Sequence, residues 1–390
     1  MDKRIKVGIP FSNDKNWIAG VYYRLNLIKA LDTLPENTKP SIYILSSNKN
    51  DYFYVKEVTA YPYLYFIKIP GPVPLFFRIL NKITYFLFKK KWFDKSLRSD
   101  SLDCVITLST SSYDNWLRNI KNKFYWIPDF QEHFLPSFFS PSEIMNRKIF
   151  QTKLAYSQTN IVLSSNAAFQ DFQKIYPGYV AKVHILPFAV FIPTYDTIDF
   201  NVVRAKFQLP SEYFFCPNQF WQHKNHLVVL KALELAVKMN RPFYVVFTGY
   251  KRDYRNIDYF DKIIEFIHEK QLEKYVFILG FIERLEQMLI LKNARALIQP
   301  SLFEGWSTTI EEAKALNKVV IASHISVHKE QLGQHGIFFD PDQPEDLLRA
   351  IDGIVNKNVV NYQYNKEIEL FGKRVWNVFV KKHSKSVLVE

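Results

Sequence analysis

The sequence predicts an α/β protein built from two parallel-sheet domains. Two observations carry this reading. The chain has 390 residues, more than one ordinary core accommodates. Strand-like runs also alternate with helix-like runs from one end to the other, the order that parallel sheets require. A hydrophobic content of 48% with 23% charged residues is that of a globular chain.

The elements follow in order. Residues 5–10 predict a first strand. A loop runs to Gly20, and a helix then carries Tyr23, Leu27, Ala30 and Leu31 on one face. Further strands are expected at 41–45, 104–108, 124–127, 160–164 and 183–186. Residues 188–197, with Pro193 inside and Pro187 just before, show no period, which predicts a linker. A second series of strands is expected at 213–216, 244–248, 275–279, 296–299 and 319–322. An amphipathic stretch, 364–381, comes last. The divisions are therefore 1–190, 198–363 and a terminal helix within 364–390.

Charge is unevenly spread. The net charge is +13, yet 25 Lys and Arg face 14 Asp and Glu in residues 1–190, against 26 and 24 in the remainder. That asymmetry argues against a chain that binds nucleic acid along its whole length. Eight basic residues and one acid occupy 68–98, interleaved with aromatics such as Phe76, Phe77, Tyr85, Phe86, Phe88 and Trp92. This stretch reads either as a helix lying on an anionic membrane surface or as a domain helix with a solvated basic face. Aromatics among basic residues also suit single-stranded nucleic acid, but no nucleic-acid-binding module accompanies them. Cys104 and Cys216 are the only cysteines, and they lack metal-ligand spacing. With no apolar signal region after Met1-Asp2-Lys3-Arg4, a reducing, cytoplasmic setting is expected. No apolar run approaches the roughly 18 residues of a membrane span.

The stretch 300–313 carries the chemistry. It follows a strand-like run and leads into a helix. Thr308 and Glu311 have capping-box spacing, which puts the helix start near Thr309. Ile310, Ala313 and Leu316 share a face, and Asn317 stands where a left-handed stop is expected. Glu304 then lies in the loop before the helix and Glu312 on its first turn. A helix start offers unpaired N–H groups and partial positive charge to a phosphate. A carboxylate on either side can accept hydrogen bonds from vicinal hydroxyls, a combination suited to a nucleotide-sugar.

A second loop points the same way. Residues 218–226 lie between a strand and a helix at 227–239, with Asn225 as the expected cap. Lys224 thus stands at the carboxyl end of a parallel strand, where ligands of open α/β sheets gather. It supplies a compact positive charge for a leaving diphosphate. His223 and His226 have no further ligand cluster nearby, so no metal site is expected.

Glu304 and Glu312, with seven residues between them inside Phe-Glu-Gly-Trp-Ser-Thr, resemble the donor signature of the family-4 (group 1) retaining glycosyltransferases. The resemblance implies a GT-B fold, in which two Rossmann-like domains face each other across a cleft and a C-terminal helix crosses back to the first. It implies a nucleotide-diphosphate sugar donor, a glycan or lipid-linked glycan acceptor, retention of anomeric configuration, and neither cofactor nor metal. Such enzymes serve bacterial surface polysaccharide synthesis in the cytoplasm, often at the inner face of the plasma membrane. By the same resemblance Glu312 would hold ribose hydroxyls and Glu304 sugar hydroxyls, with Gly305, Trp306, Ser307, Thr308 and Thr309 lining the donor phosphates. Relatives usually carry an arginine five residues before the lysine; Gln219 stands there and can donate only neutral hydrogen bonds. The segment 126–133 is similar to the loop that brings a histidine or aspartate to the donor sugar, which leaves Asp129, Gln131 and His133 as candidates. Gly20 resembles half of a paired-glycine loop, Ala19 replacing the other half. Phe281 and Ile282 align with a base-contacting loop, and Gly249 ends a strand on the cleft side. Three rival readings stand beside transfer: a nucleotide-sugar epimerase on the same fold, a non-catalytic sugar-nucleotide or glycan binder, and a nucleic-acid binder.

Overall fold

The computed structural model describes residues 4–14, 18–70, 80, 83, 84, 86, 96–110, 113–193, 198–356 and 361–381. The first lobe contains β1 (Lys6–Pro10), β2 (Ser41–Ser46), β3 (Leu64–Lys68), β4 (Cys104–Leu108), β5 (Asn122–Ile127), β6 (Asn160–Leu163) and β7 (Lys182–Ile185). They form one sheet in the order β3-β2-β1-β4-β5-β6-β7. The second lobe contains β8 (Phe214–Cys216), β9 (Val245–Phe247), β10 (Val276–Ile278), β11 (Leu297–Gln299), β12 (Val320–Ser323) and β13 (Ile337–Phe339), in the order β10-β9-β8-β11-β12-β13. Every adjacent pair is parallel. This is the doubly wound architecture that the alternation of elements predicts.

Two edge strands, β3 and β13, are absent from the expectation above. Both carry short apolar runs, 64–67 and Ile337–Phe339, but are only partly buried, as strands at the edge of a sheet are.

Helices cover both faces of each sheet. In the first lobe these are α1 (Ile18–Asp32), α2 (Lys49–Thr59), the short α3 (Gln131–Phe134), α4 (Pro141–Ala155) and α5 (Asn166–Ile175). Local chemistry starts α4: Ser140 and Glu143 form a reciprocal capping box, with Pro141 at the first helical position. The second lobe has α6 (Phe200–Phe207), α7 (His226–Lys238), α8 (Tyr259–Glu269), α9 (Arg284–Asn293), α10 (Thr308–Ala315), α11 (Ser326–Leu332) and α12 (Pro344–Asp352).

The last helix, α13 (Tyr364–Phe379), returns to the first lobe. Phe371, Val375, Trp376 and Phe379 are spaced along one face and join the first-lobe core. This is why α1 is buried nearly all round: it lies between the sheet and α13. Gly372 makes the crossing possible, since a Cβ there would stand 2.5 Å from Thr33 Oγ1 and 2.8 Å from the Ala30 carbonyl oxygen. At the start of α13 the Tyr364 hydroxyl donates to Glu311 Oε2 (2.9 Å) and accepts from the Val190 N–H (2.8 Å). It thereby ties the second lobe, the linker and the terminal helix together.

Most of the basic, aromatic stretch at 68–98 lies outside the described residues, and so does the loop before α1 at 15–17. Among the described residues no helix is long and apolar enough to cross a membrane.

Candidate active site in the interlobe cleft

The strand order of the second sheet reverses between β8 and β11, and at such a switch point the loops leaving two neighbouring strands part and open a crevice. Lys224 follows β8 and Glu304 follows β11. Both line a cavity of about 660 Å³ between the lobes, shared with Gln219, Gly249, Phe281, Gly305, Trp306, Ser307, Thr308, Thr309 and Glu312. The second-lobe residues singled out by sequence are therefore gathered in one place.

The cap of α10 differs from expectation. Ser307, not Thr308, is the N-cap, and its hydroxyl accepts from the Ile310 N–H (3.3 Å). Glu311 does not reach back to close a capping box. Its buried carboxylate binds Lys314, Gln331 and Tyr364 instead. Gln331 takes over the backbone of the cap, accepting from the Ser307 N–H (2.9 Å) and donating to the Ser307 carbonyl (3.1 Å). A tertiary partner has displaced the local one. Asn317 does adopt the left-handed conformation that ends the helix, with φ of 52°. Asn225 likewise precedes α7 in a left-handed conformation, but its side chain bonds the Pro341 carbonyl and caps nothing.

Glu304 is held by a buried polar chain. Asn218 Nδ2 donates to Gln299 Oε1 (3.2 Å), and Gln299 Nε2 donates to Glu304 Oε1 (3.1 Å). Lys224 Nζ closes on the same oxygen at 2.5 Å. Burial pushes the Glu304 carboxyl up, but the Lys224 ammonium and nearby His328 outweigh it and hold the group below its usual range. Glu304 is ionised and aimed at the cavity.

Glu312, the fifth residue of α10 and thus just past the first turn expected for it, is paired differently. Its Oε1 lies 2.6 Å from Arg284 Nη1, and its buried Oε2 has no hydrogen-bond partner among the described residues. Burial raises its pKa despite Arg284. The free oxygen is an acceptor waiting for a donor hydroxyl or N–H. Arg284 in turn stacks on Tyr22 of the first lobe, 4.8 Å from the ring centre. The sequence reading missed Arg284, although a cation on the first turn of a helix opposes the helix dipole and signals a tertiary partner.

The first lobe contributes selectively. Asp129 and Gln131 line the cavity; His133 does not. Its ring lies behind the wall, bonded to Gln151 Oε1 (3.4 Å), which does line the cavity, and to the Tyr176 hydroxyl (3.5 Å). Asp129 accepts the Gln131 N–H (3.1 Å), and burial raises its carboxyl above the ordinary range against the pull of Arg147. Gly20 is also away from the cavity, packed in the first turn of α1 with its carbonyl bonded to Arg24 (2.9 Å); Ala19 lines the wall instead. The lobes touch at Gly305, where a Cβ would stand 1.8 Å from the Pro128 carbonyl oxygen. Trp306 Nε1 donates to the Phe188 carbonyl (2.9 Å) beside it.

On the remaining wall, Gly249 has a φ of 135° and lies so close to Asn218 that a Cβ would meet its carbonyl at 2.4 Å, so only glycine fits. Phe281 is half-exposed and stacks on Tyr250 at 4.5 Å, offering an aromatic face to the cleft. Ile282 lies beside it. Arg147 and Arg255 line the cavity too, and neither is apparent from motif spacing. Every Lys and Arg of the described lining has a carboxylate partner: Lys224 with Glu304, Arg284 with Glu312, Arg255 with Asp253 (3.1 Å) and Arg147 with Glu132 (3.3 Å).

Comparison with known proteins agrees with this geometry. Residues 199–369 match the family model described as glycosyl transferases group 1. The chain is 22% identical over 253 residues to the O-antigen chain mannosyltransferase RfbU of Salmonella typhimurium, covering 62% of this chain and 67% of that protein. Its structure is similar to that of a glycosyltransferase from Rickettsia africae, with a TM-score of 0.63, 18% identity and coverage of 97% and 95% of the two chains. It is also similar to HepE of Anabaena in complex with UDP and glucose, with a TM-score of 0.64, 14% identity and coverage of 96% and 94%.

Proposed function

We propose that the chain, whose residues 199–369 match the family model of group 1 glycosyl transferases, moves a sugar from a nucleotide-diphosphate donor to a hydroxyl of a glycan or lipid-linked glycan, with retention at the anomeric carbon. One observation carries the reading: Glu304 and Glu312 flank the N-terminus of α10 inside one cavity, with Lys224 paired to Glu304. The likeness to a protein named as an O-antigen chain mannosyltransferase favours a nucleotide-linked mannose as the first donor to test, and surface polysaccharide as the product class.

In this reading the donor diphosphate lies at the start of α10. The N–H groups there and the Lys224 ammonium stabilise the charge that builds as the glycosidic bond breaks. Glu312 Oε2 accepts from the ribose hydroxyls. Glu304 accepts from sugar hydroxyls and favours positive charge on an oxocarbenium-like transition state. The departing phosphate takes the acceptor proton, so neither metal nor cofactor is invoked. Closure of the lobes excludes water that would otherwise hydrolyse the donor. The basic stretch at 68–98 would seat the enzyme on an anionic leaflet at the cytoplasmic side, where a lipid-linked acceptor is found. Replacing Lys89, Lys90 and Lys91 with Glu should then weaken binding to anionic liposomes.

The deciding experiment titrates UDP-, GDP- and dTDP-sugars into the purified protein and reads thermal stabilisation. Any donor that binds is then incubated with candidate acceptors, and the anomeric configuration of the product is read by NMR. Epimerised sugar without acceptor would favour an epimerase instead. Binding without turnover would favour a non-catalytic binder.

A further inference from the structure

Arg255 lies in the loop between β9 and α8, and its side chain is only 5% exposed although it lines the cleft. Its guanidinium is gripped on three edges. Nε donates to Asp253 Oδ1 (3.1 Å), Nη1 donates to Gln131 Oε1 of the facing lobe (2.9 Å), and Nη2 donates to His223 Nδ1 (3.1 Å). Burial, with Lys224 and Arg255 adding to it, drives the His223 pKa well below its ordinary value, so the imidazole is neutral and its Nδ1 accepts. The flat faces are engaged as well. Trp221 of its own lobe and Phe139 of the opposite lobe lie 4.8 and 4.9 Å away.

Its partners are attached to the catalytic candidates. Gln131 closes an Asx turn on Asp129. His223 precedes Lys224 in one 3₁₀ turn, and the first N–H of that turn, from Gln222, donates to Asp253 Oδ2 (3.1 Å). The first-lobe loop and the second-lobe turn thus meet at one planar, multidentate cation.

We propose that Arg255 is a positioning residue for glycosyl transfer, clamping the loop of Asp129 to the turn of Lys224 and so setting the span of the cleft between them. The inference rests on the transferase reading. It differs from assigning Arg255 as a stand-in for the arginine expected at 219. Three of its five N–H groups are spent on protein acceptors, and Asp253 already balances its charge. A lysine cannot replace it, because a single ammonium offers no planar fork.

The test uses the full chain and the variants Arg255→Met, Arg255→Lys, Gln131→Leu and the double variant Arg255→Met/Gln131→Leu. Calorimetry with UDP and GDP gives nucleotide affinity, steady-state transfer gives kcat and KM, and solution scattering gives the radius of gyration. A positioning role predicts that Arg255→Met lowers kcat by at least about tenfold while nucleotide affinity stays within about threefold. Arg255→Lys should not restore kcat, and the double variant should be no slower than Arg255→Met. A loss of nucleotide affinity above about tenfold with kcat preserved would make Arg255 a phosphate ligand and overturn the proposal. Additive losses in the double variant would overturn it equally. Should Arg255→Met fail to fold, Gln131→Leu alone decides, by a kcat loss without an affinity loss. If the unaltered protein binds neither nucleotide and transfers nothing, the transferase reading fails. The clamp is then judged by scattering, where an unchanged radius of gyration in Arg255→Met rejects it and a larger one supports it.

Discussion

Lys224 Nζ and Glu304 Oε1 lie 2.5 Å apart at the switch point of the second sheet, so the cation assigned to the donor phosphate already has a carboxylate partner. In the proposed reading, a diphosphate entering the cavity would compete with Glu304 for Lys224 and free Glu304 for the sugar. Glu304→Gln removes that competition. It should bind a free nucleoside diphosphate at least as tightly as the unaltered protein, while kcat falls by roughly 100-fold or more. Lys224→Ala should likewise lower turnover more than affinity. Titration calorimetry and steady-state kinetics check both; a Glu304→Gln protein with weakened nucleotide binding would contradict the exchange.

Glu312 is argued to hold donor hydroxyls through its unpartnered Oε2, so Glu312→Ala should weaken donor binding by about 10- to 100-fold, the scale of hydrogen bonds to a charged group. Its pKa is raised, so the carboxylate that accepts hydroxyls fills as pH rises through that raised value. Donor affinity should therefore increase with pH above the ordinary carboxylate range. Removing the opposing cation in Arg284→Met moves the rise to higher pH. A donor affinity flat with pH in both proteins would count against Glu312 as the ligand.

Gly305 is a point of tight contact between the lobes, with no room for a Cβ against the Pro128 carbonyl. Gly305→Ala should prop the cleft open and lower kcat by about 10- to 100-fold, since misplacing groups by an ångström is costly. Each lobe keeps its own core, so thermal unfolding should change far less than activity. An alanine variant with unaltered kcat would show that closure at this point is dispensable.

Besides His223, buried His226 and His328 make stability pH-dependent. Burial lowers His226 to about 3 and His328 to about 4, against an ordinary value of 6.5. Below 6.5 the unfolded chain takes up protons that the folded chain refuses, so stability falls as pH drops from 6.5 toward 4. Each histidine contributes a slope approaching roughly 1.4 kcal/mol per pH unit. His226→Leu should remove one such share, read from denaturant unfolding between pH 5 and 6. An unchanged slope would mean that His226 is protonated in the folded state.

The segments with local signatures are legible in the residue pattern itself: the alternation of elements, the terminal amphipathic helix and the strand–loop–helix setting of Glu304 and Glu312. Strands and helices follow from periods of two and 3.6 residues, which a single window of sequence contains. Parallel strand order also brings the loops after β8 and β11 side by side, so the convergence of Lys224 on Glu304 is foreseeable from fold class.

Other features have no such window. Ser307 is the cap because Gln331, on another helix, satisfies its backbone and releases Glu311 to bind Tyr364. His133 and Gly20 do not line the cavity, because His133 packs against Gln151 of α4 and Tyr176 after α5, and Gly20 is bound into the first turn of α1. Arg255 and Arg284 acquire their roles from partners on the opposite lobe, more than 100 residues distant in the chain. Residue type and spacing therefore determined which groups stand at the ends of strands. Only the meeting of two lobes decided which charge each would face, because that depends on distances across a cleft that no local pattern encodes.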